Sequence, residues 1–235
     1  MSNEQKIART LVLIEDYILD QGFIVRQYDD FKKFEKHGKR VRKAAGVKGV
    51  SGQFQQRNFD YVKSNGFWIE YCFDGEPVSV MGLRIDRLEG ETLAELWDNQ
   101  QPRVYRKGGK IGKAHCPLAY EMTGNIVYGG EFTIPRKFRK NGLGGIMIFY
   151  GLMLAMARWR DTDWVYGLMN ETLAMHGFAH RMGFLNNLPR GTDWAVEPKG
   201  ISTRDWLCAT QGKDMMRWAD LISDYGLGVI LPHKI

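Results

Sequence analysis

Apolar positions at Ile7, Leu11, Ile14 and Ile18 recur at close to helical spacing, and Gly22 follows as a stop, which predicts a helix over 4–21. A short second helix is expected from Asp29 to Lys36. The pattern then changes. Gly66 to Phe73 is rich in aromatic and β-favouring residues, Asp74-Gly75 is a hairpin turn signal, and Pro77 to Asp86 alternates again. Leu93 to Trp97 reads as a short helix, and Ile126 to Ile134 as a strand ended by Pro135. Gly145 to Trp159 is apolar almost all round, the mark of a helix buried on most of its surface. Trp164 to Met169 reads as the next strand, and Asn170-Glu171-Thr172 caps a helix from Leu173 to Met182 that Gly183 stops. A last helix is predicted from Asp214 to Asp224, with Gly226 to Leu231 as a closing strand. Trp194, Trp206 and Trp218 fall at irregular spacing and fit core and cover better than a ligand platform.

Between the strand at 126–134 and the apolar helix lies Arg139-Lys140-Asn141-Gly142-Leu143-Gly144-Gly145. The first turn of a helix has amides with no intrahelical partner, and the helix dipole places partial positive charge there. Gly142, Gly144 and Gly145 remove the Cβ atoms that would hold a phosphate away, while Arg136, Lys137, Arg139 and Lys140 add charge on the approach. A pyrophosphate is the expected guest. No Gly-Lys-Ser/Thr closes the turn and no Gly-x-Gly-x-x-Gly is present in it, so neither the P-loop nor the dinucleotide pattern applies. A glycine-rich turn in an ordinary α/β domain is the other reading of the same residues.

The spacing Arg139-x-x-Gly142-x-Gly144, with Pro135 and Phe138 just ahead, resembles the acyl-CoA-binding signature of the GNAT acetyltransferase superfamily. Asn170, the helix after it and Arg181-Met182-Gly183-Phe184 resemble that superfamily's next segment, which commonly ends Tyr-x-x-x-Gly-Phe. The two segments cover about 125–185; elsewhere only the general layout is similar. The resemblance implies an α/β fold with a GNAT-like mixed, centrally splayed β-sheet flanked by helices, in a single domain over 1–235. It implies acetyl-CoA as co-substrate, held by Phe132, Thr133, Ile134, Arg139, Lys140, Asn141, Gly142, Leu143, Gly144, Gly145 and Asn170, and N-acyl transfer to an amine acceptor. One departure stands out: where many of these enzymes carry a tyrosine as general acid, this chain has Ala179, flanked by Phe178 and His180.

Amide-forming acyl transfer needs a proton acceptor for the amine and stabilisation of the thioester oxygen as it gains charge. Glu131, on the strand that leads into the glycine turn, is the best-placed base, with a solvent-facing strand residue as the alternative; Tyr128 is the candidate acid. Glu121 and Glu70 are weaker choices for the base. His176 and His180, spaced i, i+4, share a face of the expected helix, but no third ligand is visible and no metal is expected.

Composition narrows the setting. No apolar run is long enough to span a membrane, and none is expected; Cys72, Cys116 and Cys208 form no Cys-x-x-Cys pair. The layout of a signal peptide is absent from the first residues, and a cytoplasmic setting is expected. The net charge of +6 suits anionic ligands. Two basic glycine-containing segments, 37–48 and 103–113, read either as solvated loops or as clamps on a phosphate-bearing partner. They keep a second function open: a nucleic-acid-binding or phage- or toxin-type accessory protein on a GNAT-like fold, with nucleic acid or aminoacyl-tRNA as a further candidate acceptor.

Overall fold

The computed structural model describes residues 1–47, 51–105, 108–139, 142–199, 201 and 203–231. Helix α1 (Asn3–Asp20) starts in a capping box, in which the Gln5 amide donates to Ser2 Oγ and the Ser2 amide to Gln5 Oε1. It buries Ile7, Thr10, Ile14 and Ile18, and Gly22 (φ 84°) turns the chain away. Strand β1 (Phe23–Tyr28), which the sequence pattern did not announce, pairs antiparallel with a later strand.

Helix α2 (Phe31–Ala44) is capped by Asp30, whose carboxylate accepts from the Lys32 and Lys33 amides. It corrects the expectation of a helix ending near Lys36 with a loop after it. Phe31, Phe34, Gly38 and Val41 are spaced 3, 4 and 3 apart and buried, so an apolar stripe runs on through the basic stretch. His37 to Lys43 are thus helical, and Lys48 lies outside the described residues.

Strands β2 (Gly66–Phe73) and β3 (Glu76–Arg87) form the expected hairpin, with positive φ at both Asp74 and Gly75 as a tight hairpin turn requires. Helix α3 (Leu93–Val104) is longer than expected and begins in a Thr92–Glu95 capping box. The basic segment 103–113 contains the end of α3 and strand β4 (Lys110–Ile111); Arg106 and Lys107 lie outside the described residues. Strand β5 (Asn125–Gly130) stops four residues short of the expected Ile134.

Helix α4 (Leu143–Arg158) and strand β6 (Trp164–Met169) match expectation. The helix expected to Met182 does not persist: α5 (Glu171–Met175) is short, Gly177 (φ 71°) breaks it, and a single 3₁₀ turn covers His180–Met182. His176 and His180 consequently share no helical face. Strands β7 (Asn186–Leu188), β8 (Trp194–Val196) and β9 (Trp206–Gln211) precede helix α6 (Gly212–Tyr225). The closing strand is β9; residues 226–231, expected to supply it, hold a 3₁₀ turn at Leu227–Val229.

The main sheet has the order β1-β2-β3-β5-β6-β9-β7, antiparallel throughout except for the parallel pair β5–β6, and β4 and β8 form a separate ribbon. One face is covered by α1, α4 and α6, whose buried residues pack with Phe67, Ile69, Met81 and Val127. The other is covered by α2 and α3, packed with Trp68, Val80, Ile126 and Tyr128. No helix among the described residues is long and apolar enough to cross a membrane.

Candidate active site

Strands β5 and β6 are in register only from Ile126↔Trp164 to Tyr128↔Tyr166. Beyond that point each stays with its outer neighbour, β5 through Gly130↔Gly82 and β6 through Met169↔Trp206, so the sheet parts between them. Glu131 takes a left-handed conformation (φ 65°), uncommon for a residue with a side chain, and turns the chain out of β5. The opening is a cleft of about 540 Å³. Residues 129–134 form one wall, 167–170 the other, and the start of α4 lies at its mouth. A mixed seven-stranded sheet, split at its one parallel pair in front of a glycine-rich helix start, is the arrangement the resemblance implied. The fold is GNAT-like.

No protein-family model matches the chain, and no curated sequence matches it. Solved structures similar to it include NAA60 of Arabidopsis thaliana in complex with acetyl-CoA, at 13% identity over 80% of this chain and 98% of that one, with a TM-score of 0.48. A GNAT-family acetyltransferase of Streptococcus pneumoniae gives 11%, 80%, 98% and 0.45. FeeM, an N-acyl amino acid synthase from uncultured soil microbes, gives 11%, 86%, 97% and 0.48.

Gly142 (φ 72°) is the residue before α4, and its carbonyl accepts from the Gly145 and Ile146 amides. The Leu143 and Gly144 amides precede that first intrahelical bond, and both residues line the cleft. Gly145 has a different role from the one expected. A Cβ there would lie 3.2 Å from Arg181 Cβ and 3.3 Å from the Arg181 carbonyl, so its lack of a side chain serves packing. Arg139 lines the cleft and donates from Nε to the Ile134 carbonyl at 2.8 Å, closing the 134–139 turn. Lys140 and Asn141 lie outside the described residues.

Phe132, Thr133 and Ile134 line the cleft, as does Asn170, whose Oδ1 caps α5 by accepting from the Thr172 amide. Glu131 lines it too, but its carboxylate does not face open solvent. Oε2 is 3.2 Å from Arg42 Nη1 and accepts from the Ser51 amide at 3.1 Å, and Arg42 Nη1 also donates to the Glu131 carbonyl. One guanidinium from α2 thereby fixes both the side chain and the left-handed backbone of this residue. Tyr128 is outside the cleft wall. Its ring stacks on Phe54 in the α2/α3 layer, and burial pushes its hydroxyl well above the usual phenol range.

The weaker carboxylates lie elsewhere. Glu70 is buried with His37 Nδ1 at 2.7 Å, and Glu121 is exposed after the 3₁₀ turn at Pro117–Tyr120. Ala179 is buried with its carbonyl bonded to the Met182 and Phe184 amides, whereas its neighbour Phe178 reaches the cleft. Sequence reasoning missed Arg42, Ser51, Met81 and Arg181 as neighbours of this site. Arg181 carried a signal in its place in the Arg181-Met182-Gly183-Phe184 segment and Arg42 in its membership of a basic run, but nothing local tied Arg42 to Glu131, 89 residues away. No group of three His, Cys, Asp or Glu side chains suited to a metal occurs among the described residues.

Proposed function

We propose that this chain is an acyl-CoA-dependent N-acyltransferase that transfers acetyl from acetyl-CoA to an amine, working as one domain in the cytoplasm. The observation that carries the reading is the fork itself: two strand edges with unpaired backbone, converging on a helix start with available amides. The pantetheine arm would lie between the edges and the pyrophosphate at Leu143 and Gly144. The amine would approach from the α2 side, where the Glu131 carboxylate is held. Its nitrogen attacks the thioester carbon, Glu131 takes the amine proton, and amides of 132–134 stabilise the oxygen as it becomes negative. Collapse breaks the carbon–sulfur bond and releases the thiolate. No tyrosine lines the cleft among the described residues, and in this reading the thiolate takes its proton from solvent.

Gly144→Leu is the direct test. A Cβ at Gly144 meets only ordinary contacts at 3.6 Å, from Ile134, Phe132 and Phe178, so the backbone tolerates a side chain whose outer carbons then enter the cleft. Calorimetry is expected to show at least about a tenfold loss of acetyl-CoA affinity with an unchanged melting temperature. Unaltered affinity would remove the assignment. Gly142 is unsuited to the same test, because its positive φ makes any side chain there strained.

A second reading of the acceptor rests on α2. Lys32, Lys33, Lys36, Lys39, Arg40 and Lys43 are exposed on it, and among the described residues the one ion pair recorded for them is Lys39–Glu35 at 4.0 Å. A nucleic-acid acceptor would lie along this face. Replacing Lys36, Lys39, Arg40 and Lys43 by Ala is then expected to flatten the log–log salt dependence of RNA binding by about 0.7 per lost phosphate contact. Arg42 is left in place because it holds Glu131. Absence of salt-sensitive binding to any RNA or DNA ends this reading and leaves a small-molecule or protein amine.

A further inference from the structure

The inner end of the cleft is closed by one side chain lying over two glycines. Met81, on β3, points to the α4 face and lines the cleft beside Ile148 and Leu152. A Cβ at Gly129 would lie 2.9 Å from Met81 Cε and 3.2 Å from Leu152 Cδ2, and one at Gly151 would lie 2.7 Å from Met81 Sδ. The thioether therefore fits between β5 and α4 because neither of those positions carries a side chain. Behind it stands Ile69, whose Cδ1 is 3.2 Å from the same Gly151 position. On the opposite face a second glycine pair, Gly82 and Gly130, lies under Phe54. Phe54 is confined in a ring stack with Tyr128 and Phe31, whereas a methionine has three soft torsions and a polarizable, adaptable end.

We propose that Met81 sets the length of the acyl group the donor carries. This rests on the acyl-CoA reading of the cleft. With the thioester at the fork, beside Gly129 and Gly167, the acyl group points into the end that Met81 closes. An acetyl group stops short of the thioether. A chain several methylenes longer meets Met81 and Leu152 and has no further room. Truncating Met81 removes about three heavy atoms and joins the cleft to the space between Gly129, Gly151 and Ile69.

The experiment measures CoA, acetyl-CoA, butyryl-CoA and hexanoyl-CoA binding calorimetrically, which needs no acceptor. The wild-type chain is expected to bind acetyl-CoA at least about tenfold more tightly than hexanoyl-CoA, and Met81→Ala to reverse that order as the added methylenes become buried. CoA itself should bind both alike. Met81→Leu keeps the core volume but reaches one atom less far, and is expected to improve butyryl-CoA relative to acetyl-CoA. Gly151→Ala displaces the thioether toward the cleft and is expected to weaken every acyl-CoA relative to CoA. Hexanoyl-CoA binding the wild type as tightly as acetyl-CoA overturns the inference. So does an unchanged chain-length order in whichever of Met81→Ala and Met81→Leu keeps a native melt. A wild-type chain that binds no CoA at all removes the acyl-CoA reading first, and the inference with it.

Discussion

Glu131→Gln is expected to lower turnover by about two orders of magnitude or more while acetyl-CoA affinity stays within error, the range lost when a positioned base is removed. Gln keeps the length and shape of the side chain and can still accept from the Ser51 amide, so the left-handed turn at this position survives. What disappears is the charge facing Arg42 and the capacity to take a proton from the amine. Thiol release from acetyl-CoA with a reactive amine measures turnover. The pH profile separates a base from a structural anchor: in the Gln variant, rate should climb with pH in proportion to the neutral amine. A variant whose loss is the same at every pH would mean that Glu131 only shapes the cleft, and wild-type turnover would remove it from the mechanism.

Arg84→Ala is expected to destabilise the fold by about 3–5 kcal/mol, the usual consequence of deleting one member of a buried ionic network. The Arg84 side chain is 3% exposed, and Asp86 beside it holds its guanidinium charged. Arg84 Nε donates to both Asp86 carboxylate oxygens, Nη1 to the Gln53 carbonyl and Oε1, and Nη2 to Gln100 Oε1. One side chain thus joins β3 to the 51–59 segment and to α3, and its plane lies over the Phe59 ring at 4.3 Å. Urea denaturation gives the magnitude. Because Gln53 is two residues from Ser51, whose amide bonds Glu131, the variant should also lose activity at temperatures where it is still folded. A loss of stability under 1 kcal/mol would show that solvent can replace these bonds.

The elements that were legible in the sequence are those whose stabilisation is local. Helix α1 carries its own apolar stripe and stop, the β2–β3 hairpin its own turn, and α4 its uniform apolarity. The glycine turn before α4 was legible for the same reason, since its chemistry lies in consecutive residues. Elements specified by distant partners were not. The second half of α2 is held by the buried Gly38 and Val41, against a composition that reads as loop. Strand β9 is buried on both faces from Leu207 to Thr210, so it shows no alternation, and the apolar run at 226–231 looked more like a strand than β9 did. At the site, adjacency to the turn picked out Glu131, but its kinked backbone and its ion pair with Arg42 depend on a helix 89 residues earlier in the chain.

The fork divides the chain as well as the sheet. The donor wall, 129–134 with the α4 start and 167–184, comes almost wholly from the second half of the sequence, with Val47 and Met81 as exceptions. The groups around the Glu131 carboxylate, Arg42 and Ser51, come from the first half, joined there to Gln53 and Arg84. Under the proposed reaction, the two substrates are therefore recognised by separate stretches of polypeptide that meet at one residue. A lineage could exchange its acceptor by rewriting α2 and the segment after it, leaving the donor half untouched. Diversity among descendants would then accumulate in α2 and the 51–59 segment, with Glu131 as the fixed hinge between an inherited chemistry and a replaceable choice of target.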